Sequence, residues 1–376
     1  MRTALLAVMA VALIVAGAAP APTYVMQARL SAGHRVNETG WQVAPGLTYR
    51  SWDDTTEAGI ERIHVLTAKL NTRGLVLDQI SGPKVTDRAT LSTLVAADRA
   101  VAAVNGDFFD INGTGAPLGL GRDRQRLLLH ASQNSWGPTF VVTAEGKVRI
   151  MDDPLVASVK PRLGTAIAIT NLNAPAVSPG GVGLYTFKWG TTSGRAVTGD
   201  ATNVRQITVR GGVVTSNRTI LSKDTAIVGQ VLIGRGEGAD KLAALRKGTR
   251  VRIAKRLATP LKVAIGGSVR LLRAGAVTVT DDVALHPRTA VGYDRDTNTL
   301  HLVVVDGRSE SSSGTTLVGL ARLMASLGDD EALNLDGGGS STMVAADASG
   351  VVGLRNSPSG GRERRIPNAL GFRYVG

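Results

Sequence analysis

The sequence predicts an α+β fold: β-rich mixed sheets with a few flanking helices and a β-rich insert. Glycine is abundant, at 45 of 376 residues, while aromatic residues make up only 4%, a balance that favours many turns and short strands over large helical bundles. Apolar runs of strand length recur between glycine-containing turns, and only three segments carry apolar residues at helical spacing. No repeat of constant period and no low-complexity tract is present, which sets aside solenoids and fibrous arrays.

Arg2, the apolar run Ala4 to Ala16 and the small residues Ala16-Gly17-Ala18 read as an export signal over residues 1–21. The run is shorter than the roughly 20 residues of a spanning helix, and no later segment approaches that length, so no membrane span is expected after signal removal. Residues 22–44 are small and polar and read as a linker, with the main domain over 45–376. Ile63 to Leu66 and Leu75 to Leu77, separated by Asn71, Arg73 and Gly74, predict a hairpin. Thr86 or Asp87 caps a predicted helix bearing Leu91, Leu94, Val95 and Ala97. Val101 to Val104 is a strand entering the turn Asn105 to Asp110, and if strand geometry persists Asn105 and Asp107 share one face.

Residues 151–265 read as a separate β-rich insert, with strands at Val204 to Val209, Gly212 to Thr215, Ala226 to Ile233 and Arg250 to Ala254, and one helix near Ala239 to Arg246. Beyond it, Arg288 to Tyr293 and Leu300 to Val305 form a predicted hairpin around Asp294 to Asn298. Thr315 or Thr316 caps a helix with the stripe Leu320, Leu323, Met324 and Leu327, and Gly328 stops it. Ala332 to Asp336 is a strand with Leu333 and Leu335 inward and Asn334 and Asp336 on the other face. A strand pattern resumes at Ser341 to Val344, so Gly337, Gly338 and Gly339 link two apolar segments.

Cysteine is absent, which excludes disulfides, thiolate metal sites and a cysteine nucleophile. In an exported chain this fits a bacterial secreted protein in the vicinity of the cell wall. The net charge of +13 points to anionic surroundings such as wall polymers, lipid head groups or phosphorylated glycans, with solubility as the plainer reading. Nucleic acid is not an expected partner, because aromatic interleaving is missing.

The glycine run is not a nucleotide loop, since neither Lys nor a helix pattern follows it. A serine-hydrolase elbow lacks support, because no His occurs after His301. Carboxylates carry more weight: Asp107, Asp110, Asp306 and Asp336 each end an apolar strand beside Gly or Phe. Singly, each is ordinary turn chemistry; together, with Arg288 and Arg308 near two of them, they point to a shared cleft. Arg308 is suited to clamp a phosphate through paired donors, and the run Arg362 to Arg365 reads as a mobile rim or a solvated loop.

Taken in order, Asn105-Gly-Asp-Phe-Phe, Pro287-Arg-Thr-Ala-Val-Gly292, Val305-Asp-Gly-Arg308, Asn334-Leu-Asp-Gly-Gly-Gly-Ser-Ser341 and Arg365-Ile-Pro-Asn368 resemble the phosphodiester glycosidase family, over roughly residues 45–376. One departure is Asp107, where the family usually has a second Gly. The resemblance implies a hydrolase that releases a sugar from a sugar-1-phosphate diester, with a phosphorylated glycan or sugar phosphate as partner. It implies Asp336, Asp306 and Arg288 as catalytic residues and Asn105, Asp107, Arg308, Asn334, Gly337, Gly338, Gly339, Ser340 and Asn368 as substrate-binding ones. In this reading the arginines hold the departing phosphate, Asp336 orients water and stabilises a cationic sugar, the asparagines bind sugar hydroxyls or the nucleophile, and the glycine amides meet phosphate oxygens. Two other classes compete: a non-catalytic wall-glycan-binding module, and a metal-dependent phosphodiesterase cutting at phosphorus. No cofactor is expected. Four aspartates with five scattered histidines argue against a transition-metal centre and leave an oxygen-ligand Ca²⁺ site open.

Overall fold

The run Thr299–Val305 is buried at every position, and its two faces serve two cores. Leu300, Leu302 and Val304 face a central core, whereas Val303 and Val305 pack with Leu320, Ala321 and Met324 of the helix Leu317–Ser326. A strand covered on both sides needs apolar residues at successive positions, which is why this stretch shows no polar alternation. The computed structural model describes residues 35–57, 59–133 and 136–376; the expected signal lies outside them.

An eight-stranded sheet runs, in spatial order, 36–44, 47–56, 59–69, 299–305, 288–294, 331–334, 269–273 and 276–277. Behind it lies a five-stranded sheet ordered 352–354, 343–346, 102–105, 368–374 and 75–81. Leu333 and Leu335 from the first sheet meet Val104, Met343, Leu370 and Phe372 from the second in the central core. Ala103, Val344 and Ala369 turn the other way, onto the helix Leu91–Asp98. The order is thus helix, sheet, sheet, helix. A ten-stranded sheet built from strands between Gly121 and Gly266 closes the central core with Phe140, Val142, Val263 and Ile265.

The structure corrects several expectations. It is β-rich, with 28 strands and three short α-helices among the described residues, so α+β describes it only loosely. The two apolar stretches at 63–77 are strands but not a hairpin: Gly59–Lys69 pairs within the first sheet and Leu75–Ser81 within the second, because the chain crosses layers between them. The first helix is capped by Thr90 rather than Thr86 or Asp87; the Asp87 carboxylate instead accepts the Lys84 amide at 2.9 Å. Within the stretch expected to be linker, Val36–Ala44 is a strand paired with Leu47–Thr56. The 151–265 stretch is not a separate sheet, since Asn171–Leu172 pairs with Leu127–Ser132 and Leu261–Gly266 pairs with Thr139–Thr143. Its helix spans Glu237–Ala243.

The later elements follow the sequence closely. Arg288–Asp294 and Thr299–Val305 form an antiparallel pair. Thr316 caps its helix by accepting the Gly319 amide at 2.9 Å, and Gly328 follows at φ +94°, the left-handed stop that glycine tolerates best. Because Arg288 pairs with Val305 and Ala290 with Asn334, residues 288, 305 and 334 reach the same end of the first sheet.

Candidate active site

The strand Glu331–Asn334 ends at this edge, and the chain then crosses to the second sheet. The Asp336 amide donates to the Gly106 carbonyl at 3.0 Å, and the Asn105 side chain returns a bond to the Asp336 carbonyl at 2.6 Å. Asn105 is fully buried; its Oδ1 accepts from the Thr289 hydroxyl at 2.7 Å and the Thr342 amide at 3.0 Å. With both ends of its amide engaged, Asn105 ties the strand ends together rather than offering itself to a substrate.

Each glycine of the run stands against something a side chain would disturb. A Cβ on Gly337 would lie 2.9 Å from the Pro287 carbonyl and 4.0 Å from the Arg288 side chain. On Gly338, at φ +60°, it would lie 3.1 Å from the Arg308 guanidinium, and on Gly339 2.4 Å from that of Arg364. Three arginines therefore converge on three consecutive glycines, beside Asp336.

Among the described residues none of the three makes an ion pair with a carboxylate. Arg288 donates to the carbonyls of Thr315 and Ala284 at 3.2 and 3.0 Å, Arg308 approaches His286 Nδ1 at 3.1 Å, and Arg364 donates to the Ser340 hydroxyl at 3.2 Å. Burial holds Arg288 below its ordinary pKa; Asp281 opposes the shift and Arg308 adds to it. His286 is likewise held down by burial, then by Arg288 and Arg308. Gathered like charges without carboxylate partners form a site suited to an anion.

Asp336 is the carboxylate of this site. Burial pushes it up to about 6, against the Ser340 hydroxyl, the charge of Arg364 and the Gly337 amide. Of the three glycine amides, Gly337's thus serves Asp336, and Gly338's donates to the Pro287 carbonyl at 2.8 Å. A phosphate cradle made of all three amides is excluded by that geometry.

The four strand-end aspartates do not share one cleft. Asp306 is 1% exposed; it accepts from Asn356 Nδ2 at 2.9 Å and the Ser357 amide at 3.0 Å, and lies 3.2 Å from His64 Nε2. His64 Nδ1 is in turn 2.8 Å from the Tyr49 hydroxyl. This closed network makes Asp306 an internal positioning group. Asp110 caps its own turn through the Thr114 amide at 2.7 Å. Among the described residues no three of His, Asp and Glu gather to hold a metal.

Asp107 does not share an outward face with Asn105. It is buried, with Gly119 and Gly266 so near that a Cβ on either would lie 2.8 Å from its carboxylate. Burial pushes it up to about 8, the Gly119 amide opposes this, and the charge of Asp336 adds to it. Asn368 Oδ1 accepts the Asp107 amide at 2.8 Å, and Asn334 Nδ2 donates to the Ser268 hydroxyl at 2.8 Å. Among the described residues Asp107 Oδ1, Asn368 Nδ2 and Asn334 Oδ1 are buried without a partner.

Arg364 was legible only as part of a charged run. Glu363 accepts the Ser92 amide at 2.9 Å in the first turn of the Leu91–Asp98 helix, which pins the run and delivers Arg364 to Gly339. The segment is a fixed wall of the site, not a mobile rim. His64, Asn356 and Thr289 were likewise not singled out; each lies in an ordinary strand or turn pattern, and only the fold brings them to this edge.

Residues 200–373 match the family model described as phosphodiester glycosidase. The matched stretch is just under half of the chain. It holds Arg288, Arg308, Asp336 and Arg364, while Asn105 and Asp107 precede it. The SPbeta prophage-derived uncharacterized protein YomE of Bacillus subtilis strain 168 is 40% identical over 89 residues, 24% of this chain and 13% of that protein. A hypothetical protein from Synechocystis superposes with a TM-score of 0.76 at 20% identity, over 90% of this chain and 64% of that one. A Burkholderia pseudomallei K96243 protein whose description proposes export superposes with a TM-score of 0.67 at 24% identity, over 83% and 74%. The chain therefore spans well under two thirds of the curated relative and just under two thirds of the Synechocystis protein. These likenesses establish the fold. The zebrafish N-acetylglucosamine-1-phosphodiester alpha-N-acetylglucosaminidase catalytic domain superposes with a TM-score of only 0.49 at 17% identity, over 90% and 89%, too loosely to carry residue roles across.

Proposed function

We propose that the chain is a secreted hydrolase that releases a sugar from the phosphate of a sugar-1-phosphate diester on a bacterial cell-wall or extracellular glycan. The observation that carries this reading is the convergence of Arg288, Arg308 and Arg364 on Gly337, Gly338 and Gly339 beside Asp336. The guanidinium groups hold the phosphate of the diester, and bare backbone lets it approach. Breaking the bond from the anomeric carbon to oxygen leaves both bonding electrons on the phosphate, where the arginines stabilise the charge. Phosphate departs without much acid assistance, so the remaining demand is on the sugar side. There Asp336, ionised above about pH 6, orients the attacking water, stabilises the cationic sugar, and accepts the proton the water loses as its oxygen bonds the anomeric carbon. Export rests on the charged start, the apolar run and the small-residue site of residues 1–21; among the described residues no helix is long and apolar enough to cross a membrane.

The test is sugar release from a small sugar-1-phosphate diester by the wild type, Asp336→Asn and Asp336→Ala, with folding checked by circular dichroism. Loss of activity in both folded variants is expected. Full activity in either removes Asp336 from the mechanism.

A further inference from the structure

The positive charge of this chain is not evenly spread. Residues 151–265 hold 17 Lys and Arg against 6 Asp and Glu, a net +11 of the chain's +13. Among the described residues only Lys241 of these cations lies within ion-pair distance of a carboxylate, that of Glu237. A surface tuned only for solubility intersperses both signs; this one does not.

The cations are also organised. The strands Leu155–Pro161 and Val251–Leu257 place Lys160 directly opposite Arg252, a like-charge pairing that costs stability. Arg162 follows Lys160 by two residues and bonds the Arg250 carbonyl at 3.0 Å, so the four cations alternate along two adjacent chains. They line an open cleft of about 450 Å³ with Gly211 and Gly212. Segment 246–252 runs from there along the hairpin of 204–218, held by Gly248 to Val214 at 2.8 Å, Val214 to Thr249 at 2.9 Å and Val251 to Gly212 at 2.8 Å. At its other end Arg246 and Lys247 join Arg205 and Arg218 around a second open cleft of about 530 Å³. The two clefts are thus linked by one docked segment into a cationic band.

We propose that this band is a docking surface for a linear phosphate-diester glycan polymer, and, resting on the hydrolase reading above, that it holds the chain whose sugar-phosphate linkages the glycine-loop site cleaves. Alternate residues along a strand stand about 7 Å apart, which suits successive phosphates of an extended chain. Neither cleft is lined by an aromatic residue, so nothing is provided for stacking the bases of a single-stranded nucleic acid. Both clefts are shallow, and Pro161 and Val251 are the apolar side chains among their lining residues, so the band offers no apolar face for insertion into a lipid surface.

The probe is purified wall teichoic acid, with a single-stranded DNA oligomer and vesicles of phosphatidylcholine with phosphatidylglycerol as competing anions. The full chain is compared with K160A/R162A/R250A/R252A, and with K160A/R252A should the first fail to fold. The expected result is wild-type binding that weakens steeply with salt, and binding by the quadruple variant at least about tenfold weaker with a salt slope shallower by roughly 0.7 per lost contact. Hydrolysis of a small sugar-1-phosphate diester stays unchanged in the variant. Equal binding by wild type and folded variant overturns the proposal, as does tighter wild-type binding to the DNA or the vesicles. If the wild type binds the polymer, the variant does not, and neither hydrolyses the diester, the docking surface stands and the hydrolase reading falls.

Discussion

Asp107→Asn should stabilise the protein, by an amount that grows with pH. Asp107 is raised from 3.8 to about 8, chiefly by burial. Between those values the unfolded chain releases the proton and the folded chain keeps it. The contribution of Asp107 to wild-type stability therefore falls as pH rises through the window, by about 1.4 kcal/mol per pH unit, and levels off above about pH 8. Asparagine cannot ionise, yet its Oδ1 can still accept the Gly119 amide, which Asp107 Oδ2 accepts at 2.8 Å. From pH 5 to pH 7 the stability difference between variant and wild type should widen by about 3 kcal/mol, within a factor of two. Urea denaturation of both proteins at pH 5, 6, 7 and 9 measures it. A difference independent of pH would refute the burial of an ionisable Asp107. Asp336→Asn in the same assay should lower the Asp107 transition, because the charge of Asp336 helps raise it.

Asn105→Ala should destabilise by roughly 2–4 kcal/mol in urea titrations, since it leaves the Thr289 hydroxyl, the Thr342 amide and the Asp336 carbonyl without their partner. Gly339→Ala drives a methyl group into the Arg364 guanidinium; the flexible side chain gives way, so the melting temperature should hold while KM for a small diester rises about tenfold or more. Asp306→Asn should lower stability rather than abolish chemistry, with the loss read by thermal melting and kcat largely retained. The rate on a small diester should rise as pH passes about 6, where Asp336 ionises, and plateau above it.

The legible parts of this molecule were those whose sequence pattern is local. The Thr316 cap, the inward leucines 333 and 335 and the hairpin of 288–305 follow from spacing alone, whereas the run Gly337 to Gly339, expected to meet phosphate oxygens, stands in the structure against Arg288, Arg308 and Arg364. What the glycines approach was only partly legible, because Arg364 reaches Gly339 through Glu363 anchored on Ser92, 271 residues earlier in the chain. Asn105 and Asp306 were read as site groups from their place at strand ends. The sheet-to-sheet contact that buries both is a long-range pairing that spacing does not encode. The 63–77 segment failed for the same reason: a turn signal announces a reversal but not which sheet the next strand joins.

If the arginine-ringed glycine loop supports departure of phosphate from an anomeric carbon, the water must add to the sugar and not to phosphorus. Hydrolysis of a small sugar-1-phosphate diester in ¹⁸O-labelled water, with products weighed by mass spectrometry, tests it most directly. Label is expected in the released sugar, beside an unlabelled phosphate monoester, with loss of both products in Asp336→Asn. Label in the phosphate, or no hydrolysis by the wild type, would contradict it.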